Sequence, residues 1–155
     1  LGLLASKNLI ASVHPSDEAS LASFRAIGEA VTSNQPVVEK SEIIFISCKP
    51  NAVQSVLADV KHVSSKKLFV SIAMGITLEE IEKCLAVDSR VIRVMPNTPA
   101  VVKAACSVFS KGLKATSEDA GLVEKLLKSI GTCEEVSEYM MDAVTALSGS
   151  GPAYV

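Results

Sequence analysis

The stretch EIIFISCKPNAVQSVLADV, residues 42–60, decides how the chain is expected to fold. Its first part, residues 42–48, is apolar almost throughout, which is typical of a strand that is buried on both faces of a sheet. Pro50 follows at once. Because proline is favoured in the first turn of a helix, a helix is predicted from Pro50 to about Val60. A buried strand followed directly by a helix is half of a parallel strand–helix–strand unit.

Strand-length and helix-length segments alternate in the same way on both sides of this stretch. Further strands are predicted at residues 8–12, 30–32, 68–73, 91–95, 105–110 and 132–136. Further helices are predicted at residues 16–26 with Ser16 as N-cap, at 34–40, from a capping box at Thr77, at 117–130 and at 139–147. This alternation predicts an α/β fold with a doubly wound, mostly parallel sheet, whose ligands bind beyond the carboxyl ends of the strands.

The composition excludes several classes of protein. With 155 residues, 48% of them hydrophobic, the chain is long enough for one hydrophobic core and too apolar for disorder. A net charge of −2 argues against a nucleic-acid partner. No apolar run approaches the ~20 residues of a membrane helix. The four cysteines show neither metal-site nor disulfide spacing, so we expect reduced thiols, with Cys48 and Cys106 in the core, and no metal.

The turn after the first predicted strand bears on the choice of cofactor. In NAD-binding domains of this class the second strand usually ends in Asp or Glu, which holds the ribose 2′-hydroxyl, and residues 8–12 occupy the place of that strand. This chain has Ser12 at that position. A neutral hydroxyl tolerates a neighbouring 2′-phosphate, whereas a carboxylate would repel it. The turn therefore favours NADP, although a plain loop with Ser16 as a helix cap explains the same residues.

Three later turns carry polar or small residues at strand ends. Lys49 could lie near a phosphate or ribose, or be a solvated lysine before a helix. Small residues and Gly75 after the strand at 68–73 could let a flat ligand approach the backbone, or only separate strand from helix. Asn97, between two prolines, could hydrogen-bond a carboxamide or only stabilise its own turn.

Two motifs, RVMPNTPA (residues 93–100) and ALSGSGPAY (residues 146–154), resemble the pyrroline-5-carboxylate reductases. The second motif is highly specific, and the resemblance covers essentially the whole chain. It implies a Rossmann-like oxidoreductase of proline biosynthesis that passes a hydride from NADPH to the imine carbon of 1-pyrroline-5-carboxylate; NADH stays open as the cofactor. It further implies a homodimer or larger homo-oligomer in the cytoplasm, a mitochondrion or a plastid, with a small-molecule substrate and neither nucleic acid nor membrane as partner.

The resemblance also assigns residues, although no catalytic acid, base or nucleophile is identified. It places Glu138 on the substrate side, where we hypothesise that it favours the protonated imine. It places the following residues at the cofactor: Ser12, Asn34, Ser47, Cys48, Lys49, Pro50, Ile72, Ala73, Met74 and Asn97.

The chain departs from the family pattern at its ends. The family's first strand and Gly-rich turn should precede Leu1, and its long dimer-forming helices should follow Tyr154. We therefore expect an NADP-binding domain at residues 1–136 and the start of a helical domain at 137–155, and we predict that the 155-residue chain alone is unstable and inactive. Lys103 replaces a family arginine, and Ala104 and Ala105 replace a Glu-Gly pair; both changes look mild.

Three other interpretations stay open at this point. The chain could be a truncated and inactive nucleotide-binding or interaction module. It could belong to a related NADP-dependent hydroxyacid dehydrogenase, although the ALSGSGPAY motif argues against that. Finally, residues 149–152 could act only as a connector between two helices.

Overall fold

Seven strands and six α-helices alternate along residues 4–151, the part of the chain that the computed structural model describes. The strands are β1 (Ile10–Ser12), β2 (Glu29–Val31), β3 (Ile43–Ile46), β4 (Leu68–Ser71), β5 (Arg90–Met95), β6 (Ala105–Lys111) and β7 (Gly131–Glu135). The α-helices are α1 (Glu18–Arg25), α2 (Gln35–Lys40), α3 (Pro50–Val60), α4 (Leu78–Cys84), α5 (Ser117–Lys128) and α6 (Met141–Val144). Single turns of 3-10 helix lie at Ser6–Asn8, Lys61–Val63, Thr98–Val102 and Glu138–Met140, and a π-helical turn lies at Thr145–Gly149.

The strands form two sheets, which are not hydrogen-bonded to each other within residues 4–151. The parallel pair β1–β2 makes the smaller sheet, and β3-β4-β5-β6-β7 is the order of the larger one. Pairing is parallel from β3 to β5 and between β6 and β7, but β6 runs antiparallel to β5. The link at residues 96–104 holds a short 3-10 turn, where a parallel crossover needs a dozen or more residues. The predicted mostly parallel sheet is confirmed, with this one reversal.

Helices cover both faces of the larger sheet, as a doubly wound fold requires. On one face, α2, α3 and α4 pack on the sheet. That core contains Val38, Ile44, Ile46, Val53, Leu57, Val60, Phe69, Ala73, Leu78, Ile81, Leu85 and Val91. On the opposite face, α5 packs on the sheet. That second core contains Leu68, Val70, Ile92, Val94, Phe109, Ala120, Val123, Leu127 and Cys133.

Helix signals in the sequence act locally, and most are confirmed. Helix α3 runs from Pro50 to Val60 as predicted, and the capping box at Thr77 forms with Glu80. The predicted N-cap Ser16 is wrong. The side chain of Asp17 caps α1 by accepting the Ser20 N–H at 3.0 Å, and this hydrogen bond lowers the pKa of Asp17. An aspartate caps a helix as well as a serine does, so two adjacent candidates compete.

Burial of β3 on both faces, predicted from residues 42–48, is also wrong. Ile44 and Ile46 are buried under α3, whereas Phe45 is 46% exposed. Successive residues of a strand point to opposite faces, so Phe45 points to the face that carries α5. Strand β3 lies at the edge of the five-stranded sheet, beyond the core under α5.

Candidate functional site

Three parallel strands, β3, β4 and β5, end side by side and define one edge of the large sheet. Ile46 pairs with Ser71, and Ser71 pairs with Arg93, so the segments that follow these strands emerge next to one another. The Ile72 N–H donates to the Ile46 carbonyl at 3.1 Å, which fixes the first two segments together. This carboxyl edge is where sheets of this class bind ligands.

Apolar side chains and one small hydroxyl are exposed to solvent at this edge. Ser47 is exposed, Ile72 is 36% exposed and Met74 is 57% exposed, while Ala73 between them is buried. Gly75 has a φ of +77°, which favours glycine, and a Cβ there would meet no atom of the described residues within 4 Å. The segment after β4 therefore combines exposed apolar side chains with open space beside Gly75, which leaves room for a flat ring.

The turn after β3 places three predicted site residues in different surroundings. Lys49 is exposed at the N-cap of α3, with Pro50 as the first helical residue. Cys48 is half-buried against the core, and burial raises the pKa of its thiol, which agrees with the expected unreactive core thiol. The same expectation for Cys106 is wrong, because Cys106 is exposed. Cys106 lies near the start of β6 on the face opposite to Ala105, and that face is buried only further along the strand, at Val108 and Ser110.

Asn97 ties the β5–β6 connection to the segment after α6. Its Oδ1 accepts the Cys106 N–H at 2.9 Å, and its Nδ2 lies 3.5 Å from the Ser148 carbonyl. The shorter of these two hydrogen bonds therefore stabilises the turn itself, and the N–H groups of the Asn97 amide remain available to a ligand.

The motif that begins at Ala146 adopts an unusual helical turn. Residues Thr145–Gly149 form a π-helical turn, a type that is frequent at functional sites. A Cβ on Gly149 would collide with Cε of Met95, the last residue of β5. The motif therefore lies close to the carboxyl edge of the sheet, and the flexible end of Met95 would have to shift to admit a larger residue at position 149. Pro152, Ala153 and Tyr154, which complete the motif, lie outside the described residues.

Ser12 and Asn34, predicted separately, are in direct contact. Ser12 Oγ donates to Asn34 Oδ1 at 2.5 Å. On its other side, Asn34 Nδ2 donates to Asp59 Oδ2 of α3 at 3.3 Å. No sequence signal pointed to Asp59, because it is 25 residues from Asn34 and lies on an exposed helical face.

Glu138 is held by two donors on one oxygen. Its Oε1 accepts the Leu78 N–H at 2.7 Å and Arg93 Nη1 at 3.1 Å. Arg93 is 5% exposed, and its Nη2 lies 3.4 Å from Asp142 Oδ1. Sequence reasoning missed the role of Arg93, although a lone charge in the strand VIRVM was a signal, since a buried arginine requires an acidic partner.

Other kinds of site are absent from the described part of the chain. Residues 4–151 contain no group of three or more His, Cys, Asp or Glu side chains that could hold a metal ion. In the same residues, no helix combines the length and apolarity needed to cross a membrane. A shallow groove of about 560 Å³ borders Glu138, and the ion pair of Lys111 and Glu135 lines it.

The chain is similar in sequence to several known proteins. Residues 1–75 match the family model described as NADP oxidoreductase, coenzyme F420-dependent. The pea pyrroline-5-carboxylate reductase is 44% identical over 99% of this chain and 56% of its own length. The human pyrroline-5-carboxylate reductase 2 is 38% identical over 99% of this chain and 49% of its own length. The chain thus spans about half the length of these relatives.

The fold leads to the same group of proteins. The crystal structure of the Plasmodium falciparum pyrroline carboxylate reductase with NADP bound superposes with a TM-score of 0.88 at 29% identity. The superposition covers 99% of this chain and 56% of that one. By sequence and by fold, the chain is similar to the pyrroline-5-carboxylate reductases over about half of their length.

Proposed function

We propose that the protein is an NADPH-dependent pyrroline-5-carboxylate reductase, which reduces 1-pyrroline-5-carboxylate to L-proline. The observation that carries the proposal is the carboxyl edge of β3, β4 and β5, where open space and exposed apolar groups coincide with the family motifs. NADPH would supply the hydride, and the protein would bind and orient both reactants.

We assign the cofactor to this edge and to the carboxyl end of β1 in the smaller sheet. Ser12 and Asn34 are assigned to the adenosine ribose and its 2′-phosphate, because a hydroxyl and an amide carry no charge that opposes the phosphate. The turn Ser47–Cys48–Lys49–Pro50 is assigned to the middle of the cofactor, with the exposed Lys49 ammonium near phosphate. The segment Ile72–Ala73–Met74 is assigned to the nicotinamide side, supported by its exposed apolar side chains.

Asn97 is assigned to the nicotinamide carboxamide through its Nδ2 group. Its Oδ1 is occupied by the Cys106 N–H, whereas the one contact of Nδ2 within residues 4–151 is a long one of 3.5 Å with the Ser148 carbonyl. An N–H of this amide remains available to a carbonyl oxygen of a ligand.

Glu138 is assigned to the substrate side. The two hydrogen bonds that Glu138 accepts from the described part of the chain end on Oε1, and neither uses Oε2. A carboxylate oriented in this way would stabilise the protonated imine, which is the better hydride acceptor, by placing a negative charge near it. The role proposed for Glu138 is therefore electrostatic and needs no proton transfer from its own side chain.

We further propose that the protein works as a homo-oligomer, in the cytoplasm or in a mitochondrion or plastid. Exposed apolar side chains support the first part: Val101 is 89% exposed and Leu147 is 75% exposed, in the two segments that Asn97 connects. Exposed apolar surface of this kind favours contact with another protein surface. Light scattering on the natural-length protein would measure the mass, and a monomer would contradict the proposal.

The activity is tested with the protein expressed at its natural length. We expect consumption of NADPH that depends on 1-pyrroline-5-carboxylate, with L-proline as the product identified by chromatography. A protein that binds NADPH and NADH but leaves the imine unreduced would be a nucleotide-binding module. One that oxidises a 3-hydroxyacid with NADP would be a dehydrogenase, and either result would overturn the proposal.

A further inference from the structure

We propose that Asp59 is a specificity-determining residue, which weakens the preference of the site for NADPH over NADH. The inference rests on the proposed function, since it assumes that Ser12 and Asn34 lie at the adenosine ribose. The sequence has Ser12 and no acid at the end of β1, but the fold brings a carboxylate from α3 to within two hydrogen bonds of Ser12.

Asp59 determines the orientation of the Asn34 amide. An ionised carboxylate can only accept hydrogen bonds, so the contact with Asp59 Oδ2 requires the NH₂ group of Asn34 on that side. The carbonyl oxygen Oδ1 must then face Ser12, where it accepts the hydroxyl proton. Asn34 stands at the N-cap position of α2, yet its side chain engages Ser12 and Asp59 instead of capping the helix, which is the usual task of asparagine there.

In this arrangement Ser12 offers a ligand a hydrogen-bond acceptor and not a donor. Its proton is committed to Asn34, so the lone pairs of Oγ are left for a hydrogen-bond donor. The 2′-hydroxyl of NADH is such a donor. The 2′-phosphate of NADPH carries a charge of about −1.5 to −2 near neutral pH and mainly accepts. To bind the phosphate, Ser12 must give up its bond to Asn34, whose amide cannot turn its NH₂ group over while Asp59 holds it.

The negative charge of Asp59 adds a second effect on the 2′-phosphate. The Asp59 carboxylate is exposed and stands beyond Asn34, so it repels a 2′-phosphate through solvent. Both effects act on NADPH and spare NADH. Removing the carboxylate should therefore change the ratio of the two affinities instead of changing both equally.

The experiment compares Asp59→Asn with the wild type and with Asp88→Asn, in the natural-length protein. Asp88 is an exposed acid that accepts from Ser65, so its variant removes the same charge elsewhere on the surface. Dissociation constants for NADPH and NADH are measured by fluorescence titration, at low and at high salt. We expect the ratio Kd(NADH)/Kd(NADPH) to rise about three- to tenfold in Asp59→Asn and to stay unchanged in Asp88→Asn.

The salt series separates the two effects. Asp59→Asn restores the freedom of the Asn34 amide at any ionic strength, so part of the change should persist at high salt, where the charge effect is screened. An unchanged ratio in Asp59→Asn, or an equal change in Asp88→Asn, would overturn the role of Asp59 and leave the reductase proposal intact. A wild-type protein that binds neither nucleotide would overturn both.

Discussion

Arg93 and Glu138, 45 residues apart in the chain, form an ion pair of 3.1 Å between Nη1 and Oε1. The same carboxylate oxygen accepts the N–H of Leu78, the first residue of α4. Strand β5, helix α4 and the segment after β7 therefore meet at one oxygen atom. A single arginine in an apolar strand thus connects the large sheet to residues 138–142, where Asp142 provides its second acidic partner.

Replacing Arg93 should destabilise this junction. Arg93→Ala leaves the Glu138 and Asp142 carboxylates without their cation, and it leaves a cavity where the buried stem of Arg93 packed. Breaking a buried pair costs about 3–5 kcal/mol, and because Glu138 is one third exposed and Asp142 almost fully exposed we expect about 2 kcal/mol. Urea unfolding measures the loss. Lys83→Ala, which removes a cation from an exposed pair, is the control and should change little. Equal losses in both variants would contradict the assigned role of Arg93.

Glu138→Gln tests the substrate-side role separately from the structural one. Glutamine retains an oxygen that accepts the Leu78 N–H, so the fold is conserved, but the negative charge is lost. If that charge stabilises the protonated imine, kcat/KM should fall by about tenfold or more, and its pH profile should change. Glu135→Gln, an exposed acid paired with Lys111, is the matched control. Unchanged kcat/KM and pH profile in Glu138→Gln would exclude this role.

Asn97→Asp distinguishes a turn residue from a cofactor contact. Aspartate still accepts the Cys106 N–H, so the free energy of unfolding should change by less than about 1 kcal/mol. It has no N–H to donate, so NADPH should bind about tenfold more weakly if Nδ2 contacts the carboxamide. Fluorescence titration and thermal unfolding of the same preparation give both values. Unchanged affinity would mean that Asn97 only stabilises its own turn.

Local signals account for the parts of the fold that the sequence predicts well. Pro50 places the start of α3, and the Thr77 capping box places α4, because each signal acts within one helical turn. The same periodicity reasoning failed for Phe45, since an apolar strand shows its composition but not where its covering helix ends. The reversed strand β6 was likewise invisible, because strand direction depends on the connection and not on the strand residues.

The candidate site shows the same difference between residues that local signals predict and residues that depend on distant packing. Ser12, the residues 72–74 and Asn97 stand at strand ends, so the rule that ligands bind at carboxyl ends predicts their grouping from the sequence alone. Asp59 and Arg93 contribute through partners 25 and 45 residues away, and such pairs depend on how helices pack. Only the isolated charge of Arg93 within an apolar strand provided a usable hint.

Two glycines should respond to alanine in opposite directions. Gly131 has a φ of +154°, and a Cβ there would collide with the carbonyl oxygen of Ala105. Because this neighbour is backbone of the adjoining strand β6, Gly131→Ala should cost about 3 kcal/mol or more. Gly121 is inside α5, where a Cβ would meet no described atom within 4 Å, so Gly121→Ala should stabilise by about 1 kcal/mol. Equal effects in chemical unfolding would contradict the strand geometry.

Alkaline pH should destabilise the protein through Cys133. Burial under α5 raises the pKa of this thiol from 9.0 to about 11. Below pH 9 the thiol is protonated in both states and has no effect on the pH dependence. Above pH 9 the unfolded chain loses the proton while the folded chain keeps it, so the free energy of unfolding falls as the pH rises to about 11. The loss should reach about 2 kcal/mol.

Cys133→Ala removes the thiol and should flatten this part of the curve, whereas replacing the exposed Cys106 should not. If the Cys133→Ala curve keeps the slope of the wild type, other groups cause the alkaline loss.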